Sequence, residues 1–98
     1  MQPIRTRYEQ LERVYSDQTI FEKINREYFN NELDIKVESE WEHSQVNLTA
    51  STSGISNYYH VNGQIFTGVY RFIEYLQSIY DLRHMQKQIN NIHAEKIS

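Results

Sequence analysis

Five acids crowd one short stretch of the chain. Glu32, Asp34, Glu38, Glu40 and Glu42 stand against the single Lys36, five acids to one lysine and a local balance of −4, and all six occupy even positions. Side chains two apart on a strand share a face and lie ~6.6 Å apart. That resembles the spacing of successive phosphates along one nucleic-acid strand. Asp34, Glu38, Glu40 and Glu42 are therefore candidates for docking into the basic groove of a partner, steered by charge complementarity. The plainer alternative is the solvated outer face of a half-buried strand, where charges also guard an edge against aggregation.

Eight tyrosines in 98 residues form a second group. Tyr8, Tyr15, Tyr28 and Tyr80 fall on apolar stripes and need no role beyond a core. Tyr58, Tyr59, Tyr70 and Tyr75 cannot all face one core, because adjacent strand residues point opposite ways, so they are candidates for a partner surface. Leu82, Met85, Ile89 and Ile92 have the 3-4-3 spacing of a short coiled-coil seam, suited to a homodimer or to a partner's groove. The alternative for this third group is a bent helix that folds back over the sheet, or a terminal helix that frays.

Histidine is the side chain that titrates near neutrality, and there are four: His43, His60, His84 and His93. None forms an i, i+4 pair on a helix, and there is no HExxH, nucleophile elbow or phosphate-cradling glycine loop. A small enzyme built on a single histidine is the least favoured reading, and no metal or cofactor is expected. Direct nucleic-acid binding would rest on Arg71, Arg83 and Lys87, diluted by Glu74, Asp81 and Glu95. The first 49 residues hold six basic and ten acidic side chains, the remainder four and three. That polarisation and a net charge of −3 argue against a general nucleic-acid binder, leaving a dimeric nucleic-acid-associated regulator as an alternative.

The elements that must position these groups follow from periodicity. Pro3 opens a helix whose stripe is Ile4, Tyr8, Leu11, Val14 and Tyr15. Thr19 and Glu22 have capping-box spacing for a second helix lined by Ile20, Phe21, Ile24 and Tyr28, with Asn30-Asn31 as a left-handed stop. From Leu33 the period changes to two: Leu33, Ile35, Val37 and Trp41 alternate with charged residues and predict a strand. Val46, Leu48 and Ala50 predict a weaker second strand. Tyr58–Val61 and Gln64–Thr67 around Asn62-Gly63 predict a type I′ hairpin. The remainder from Gly68 reads as a helix with two apolar faces. Val69, Phe72, Ile73, Leu76, Ile79 and Tyr80 form one; the Leu82 seam forms the other, roughly 180° away at 100° per residue. Either this helix bends near Asp81 or its last third leaves the core.

The run from Phe21 to Leu33, FEKINREYFNNEL, leading into Val37 and Trp41, resembles the opening helix and first strand of SprT-like zinc metalloproteases. The likeness spans about a fifth of the chain. It implies a helix followed by a strand; the family's zinc-binding HExxH helix is absent, so no activity is implied for any residue.

Together these patterns predict one α+β domain over residues 1–98. It has an N-terminal helical hairpin, a small antiparallel sheet of three to four strands, and a long C-terminal helix packed on the sheet. The expected core includes Leu11, Ile20, Phe21, Ile24, Ile35, Val37, Leu48, Phe72, Ile73 and Leu76. No cysteine is present, no apolar run approaches ~18 residues, and Met1–Tyr8 lacks an apolar signal core. A cytoplasmic protein without a membrane segment is the expectation. Small size, surplus tyrosine and the acidic row point to a non-enzymatic protein-binding module. Its most concrete form is a stoichiometric inhibitor of the immunity or phage anti-defence kind, bound to a basic nucleic-acid-binding protein.

Overall fold

The computed structural model describes the backbone of residues 1–47 and 57–97, and the side chains of residues 1–43 and 57–88. The order is α1 (Ile4–Leu11), α2 (Asp17–Phe29), β1 (Ile35–Ser39), α3 (Glu40–Asn47), β2 (Asn57–Val61), β3 (Gln64–Phe66) and α4 (Val69–Ile97). The fold is α+β, with a three-stranded antiparallel sheet in the order β1-β2-β3 and the long C-terminal helix packed on it.

Helix α1 starts as expected, with the Arg7 N–H bonded to the Pro3 carbonyl at 3.1 Å. It stops sooner than its stripe. The Val14 and Tyr15 N–H groups both bond to the Leu11 carbonyl, turning the chain, so Val14 is 74% exposed and Tyr15 also lies at the surface. The N-cap of α2 is Ser16, whose Oγ accepts the Thr19 N–H; the expected Thr19–Glu22 box lies one turn too late. Asn30 and Asn31 end α2 at φ 52° and 62°, in the left-handed region that Asn tolerates. The Asn25 amide then pins the exit, donating to the Leu33 carbonyl at 2.8 Å and accepting its N–H at 3.2 Å.

The hairpin forms as its sequence predicts, with Asn62 and Gly63 at φ 49° and 87°. Ile35 pairs with Val61 and Val37 with Tyr59, setting those four on the helix-facing side; Lys36, Glu38, Tyr58 and His60 take the other side. Ile35 and Val37 are only partly buried against the core.

Residues 40–47 are helical, which overturns the end of the expected first strand, at Glu40 and Trp41, and the start of the expected second, at Val46. Ser39 Oγ accepts the Glu42 N–H at 3.1 Å, and Glu42 Oε2 accepts the Ser39 N–H at 3.3 Å. This reciprocal box starts α3 directly at the end of β1. Trp41, expected on the strand's inner face, is on α3 and 71% exposed. Leu48 and Ala50, which were to continue that second strand, lie outside the described residues.

The core gathers on Phe21. Its ring stacks on Tyr8 (5.6 Å) and meets Phe72 (4.8 Å) and Tyr59 (5.7 Å) edge-on, so α1, α2, β2 and α4 converge on one side chain. Fully buried Ile4, Ile20, Ile24, Val61 and Leu76 complete it. The bidentate Arg7–Glu27 pair, both bonds at 2.9 Å, ties α1 to α2. The Ile4 N–H bonds to Gln77 Oε1 at 2.8 Å, tying α1 to α4. Helix α4 does not break near Asp81. It runs unbroken for 29 residues, every residue from Asp81 to Gln88 is exposed, and the molecule is 60 Å long by 28 by 19 Å.

Candidate functional site

The sheet face that the sequence leaves to solvent is roofed by α3. Glu38, one of the four acids expected to meet a partner, retains only 4% of its surface. Its Oε1 lies 2.7 Å from His43 Nδ1 on α3 and 3.2 Å from His60 Nε2 on β2, and its Oε2 lies 3.5 Å from Lys36 Nζ. The His43 ring stacks on Tyr58 with centroids 3.7 Å apart. Burial alone would push the Glu38 carboxyl up, but the hydrogen bonds from His43 and His60 and the Lys36 charge outweigh it and hold it below the usual carboxylate range. An ionised carboxylate only accepts, so the facing nitrogens, Nδ1 of His43 and Nε2 of His60, both carry hydrogen. The cluster holds two imidazoles in fixed orientations. Among the described residues no group of His, Asp and Glu is arranged to hold a metal ion.

The expected acidic row is therefore dispersed. Asp34 is exposed ahead of β1, Glu38 is buried, and Glu40 and Glu42 belong to a helix, where residues two apart do not share a face. Glu42 remains exposed, and with Trp41 and the partly buried Glu40 it forms the first turn of α3.

The four tyrosines also part company. Tyr59 belongs to the core, 5% exposed, and its hydroxyl donates to Asp17; Tyr8 donates to the same carboxylate at 3.0 Å and Asn57 Nδ2 at 3.3 Å. Burial, and then the bond to Asp17, raises both hydroxyls above the usual tyrosine range. Tyr58 stacks on His43 and is partly buried. Tyr70 is exposed beneath the Arg5 guanidinium (4.7 Å), and Tyr75 lies against Phe66 (5.1 Å).

On α4, Leu82 and Met85 are 65% and 56% exposed; the side chains of Ile89 and Ile92 lie outside the described residues. Arg71 does not share a face with Arg83 and Lys87, standing about 120° and 160° from them around the helix. Arg83 is engaged, bonded to Glu32 at 2.7 Å and lying over the Phe29 ring at 5.7 Å. The basic trio is thus not one surface. His84 lies parallel to Tyr80 at 6.3 Å, apart from the Glu38 cluster, and the His93 side chain is outside the described residues.

Sequence reasoning missed the Glu38–His43–His60 cluster because His60 reaches Glu38 only through strand register. It missed the exposure of Trp41 although the signal was present: Ser39-Glu40-Trp41-Glu42 has the spacing of a capping box. The helix-then-strand order implied by the metalloprotease resemblance is present as α2 and β1. No protein-family model matches the chain, and no similar curated protein or solved structure was found.

Proposed function

We propose that the chain is a non-enzymatic protein-binding module that docks on a basic surface of a partner through the first turn of α3. The observation that carries this reading is Trp41, 71% exposed between Glu40 and Glu42. An indole left in water forgoes roughly 2–3 kcal/mol of burial free energy that a partner would supply. Tryptophan is also the residue type most often found at the energetic centre of interfaces. The flanking carboxylates add long-range attraction to a positive surface and repel an acidic one. With Glu38 buried, the acidic contribution comes from Glu40 and Glu42, and Asp34 stands apart at the far end of β1. A stoichiometric inhibitor of a nucleic-acid-binding protein is the concrete form, since its basic groove is the complementary surface.

Affinity capture from host extract with the native chain, Trp41→Ala and a Glu40→Gln/Glu42→Gln variant tests the proposal. Trp41 and Glu42 are exposed, so circular dichroism should be unchanged in the tryptophan variant. The expected result is one basic partner in stoichiometric amount, lost with Trp41→Ala, weakened at least tenfold with the charge variant, and displaced by a polyanion. A partner retained by Trp41→Ala, or no captured partner, overturns the reading.

A further inference from the structure

We infer that the outer edge of β1 receives an extended, lysine- or arginine-bearing segment of the docked partner, added antiparallel as a further strand of the sheet. The inference deepens the docking proposal above and rests on it for the partner being a protein with a basic surface.

The backbone carries the first part of the argument. β1 lies at one edge of the sheet and pairs with β2 alone. The Asn62 N–H bonds to the Asp34 carbonyl at 3.1 Å, and from there the register runs without a bulge, from Ile35 opposite Val61 to Ser39 opposite Asn57. In an antiparallel pair, the residues that turn both N–H and C=O toward the neighbouring strand alternate. Asp34, Lys36 and Glu38 therefore face β2 with these groups, and Ile35, Val37 and Ser39 turn theirs outward. Glu42 takes the Ser39 N–H. Among the described residues nothing bonds the outward N–H and C=O of Ile35 and Val37. Donors and acceptors at that spacing match the backbone of an added strand.

The second part is the trough beside this edge. Gln18, Phe21, Glu22 and Asn25 of α2 face Ile35 and Val37 across a groove of about 110 Å³. A second hollow of about 170 Å³ shares Gln18 and Val37 with it and runs on to Ser39 and Glu42, at the first turn of α3. The trough therefore opens onto the surface proposed for docking. Its floor is apolar: Phe21 is buried, and Ile35 and Val37 are only partly covered. Along it stand three carboxylates, Asp17, Glu22 and Glu42, against the single Lys36. A side chain entering from an added strand is favoured when an aliphatic stem ends in a positive charge.

The third part is that a second copy does not satisfy the edge. Pairing β1 with itself about a twofold axis at Val37 sets the Ile35 carbonyl against the Ser39 N–H that Glu42 already holds. An axis at Lys36 sets lysine directly opposite lysine. An axis at Ile35 sets Val37 opposite Leu33, whose N–H and C=O are both bonded to Asn25. A strand from another protein carries none of these conflicts.

The probe is the synthetic peptide acetyl-TKTVTKT-amide, whose lysines and valine share one face. Fluorescence anisotropy reads its binding, and amide hydrogen exchange reads the register. In the free chain the Ile35 and Val37 amides are expected to exchange rapidly beside protected Lys36 and Glu38, and the peptide is expected to slow both. Methylating the valine N–H, which faces β1 when the valine side chain enters the trough, should weaken binding about tenfold. Methylating a neighbouring threonine N–H, which faces away, should change it by less than about twofold. Glu22→Lys, on the exposed side of α2, should reverse the preference between this peptide and acetyl-TETVTET-amide. Slow Ile35 and Val37 amides in the free chain, no saturation by about 1 mM peptide, or equal effects of the two methyl groups each overturns the inference. So does a native chain that dimerises with those two amides protected. Trp41→Ala should bind the peptide like the native chain. Capture lost with Trp41→Ala in a chain that ignores the peptide removes this inference and leaves the docking surface standing. Capture retained by Trp41→Ala in a chain that binds the peptide does the reverse.

Discussion

Glu38 is held in its charged form by donors from two strands and a helix, and that fixes its response to acid. Its folded carboxyl titrates below its ordinary value. Its contribution to stability is therefore complete above about pH 4.5 and is lost as pH falls through the lowered value. Glu38→Gln keeps the shape and one acceptor oxygen but removes the charge. Its unfolding free energy should be lower than that of the native chain at pH 7, with the gap narrowing as pH falls below the ordinary carboxylate range, as measured by urea denaturation. A gap that persists unchanged at low pH would mean the charge plays no part. On the other side of the sheet the Asp17 carboxylate accepts from Tyr8, Asn57 and Tyr59. In an ultraviolet titration Tyr8, Tyr28 and Tyr59 should ionise above the usual tyrosine range, and Asp17→Asn should bring Tyr8 and Tyr59 down toward it. Neither cluster was legible from sequence: Asp17 gathers Tyr8, Asn57 and Tyr59 from 9, 40 and 42 residues away. Only a known register brings such groups together.

Among the elements, α3 decides how the outer sheet face is used. A strand continuing past Ser39 would have left Glu38 in water beside Glu40 and Glu42. The Ser39–Glu42 box ends the strand and carries His43 over the sheet instead. Ser39→Ala should destabilise α3 by about 1 kcal/mol and speed amide exchange of residues 40–47 while leaving α2 and α4 protected. Protection unchanged in α3 would show that the Glu38–His43 bond alone holds it. Periodicity read α2, the hairpin and the core part of α4 well, because each has one buried face and a clear stop. It misjudged the end of α1, where the backbone N–H groups of Val14 and Tyr15 turn the chain at Leu11, and the whole of α3, where a cap of two side chains outweighs several residues of pattern.

Considered whole, the molecule is a body of three helices and a small sheet from which one helix continues. The body's core residues, Phe21, Phe72, Ile73 and Leu76 among them, were legible because they fall on unbroken stripes. Removing residues 84–98 should leave cooperative thermal unfolding within about 0.5 kcal/mol of the native value, since His84 to Gln88 are exposed and the Arg83–Glu32 pair is kept. A larger loss would show that the projecting segment supports the body. Phe21→Ala, by contrast, should remove about 3–5 kcal/mol, because four elements meet on that ring.

The bond from Ile4 to Gln77 spans 73 residues of sequence, and it bears on how the chain is born. At a synthesis rate of about 5–20 residues per second, roughly 2–10 s separate the completion of α2 from the appearance of Leu76. During that interval Ile4, Tyr8, Phe21 and Ile24 have emerged without the layer that will cover them. The apolar faces of α1 and α2 are then without their final cover, and no faster assembly of the N-terminal helices can shorten the wait.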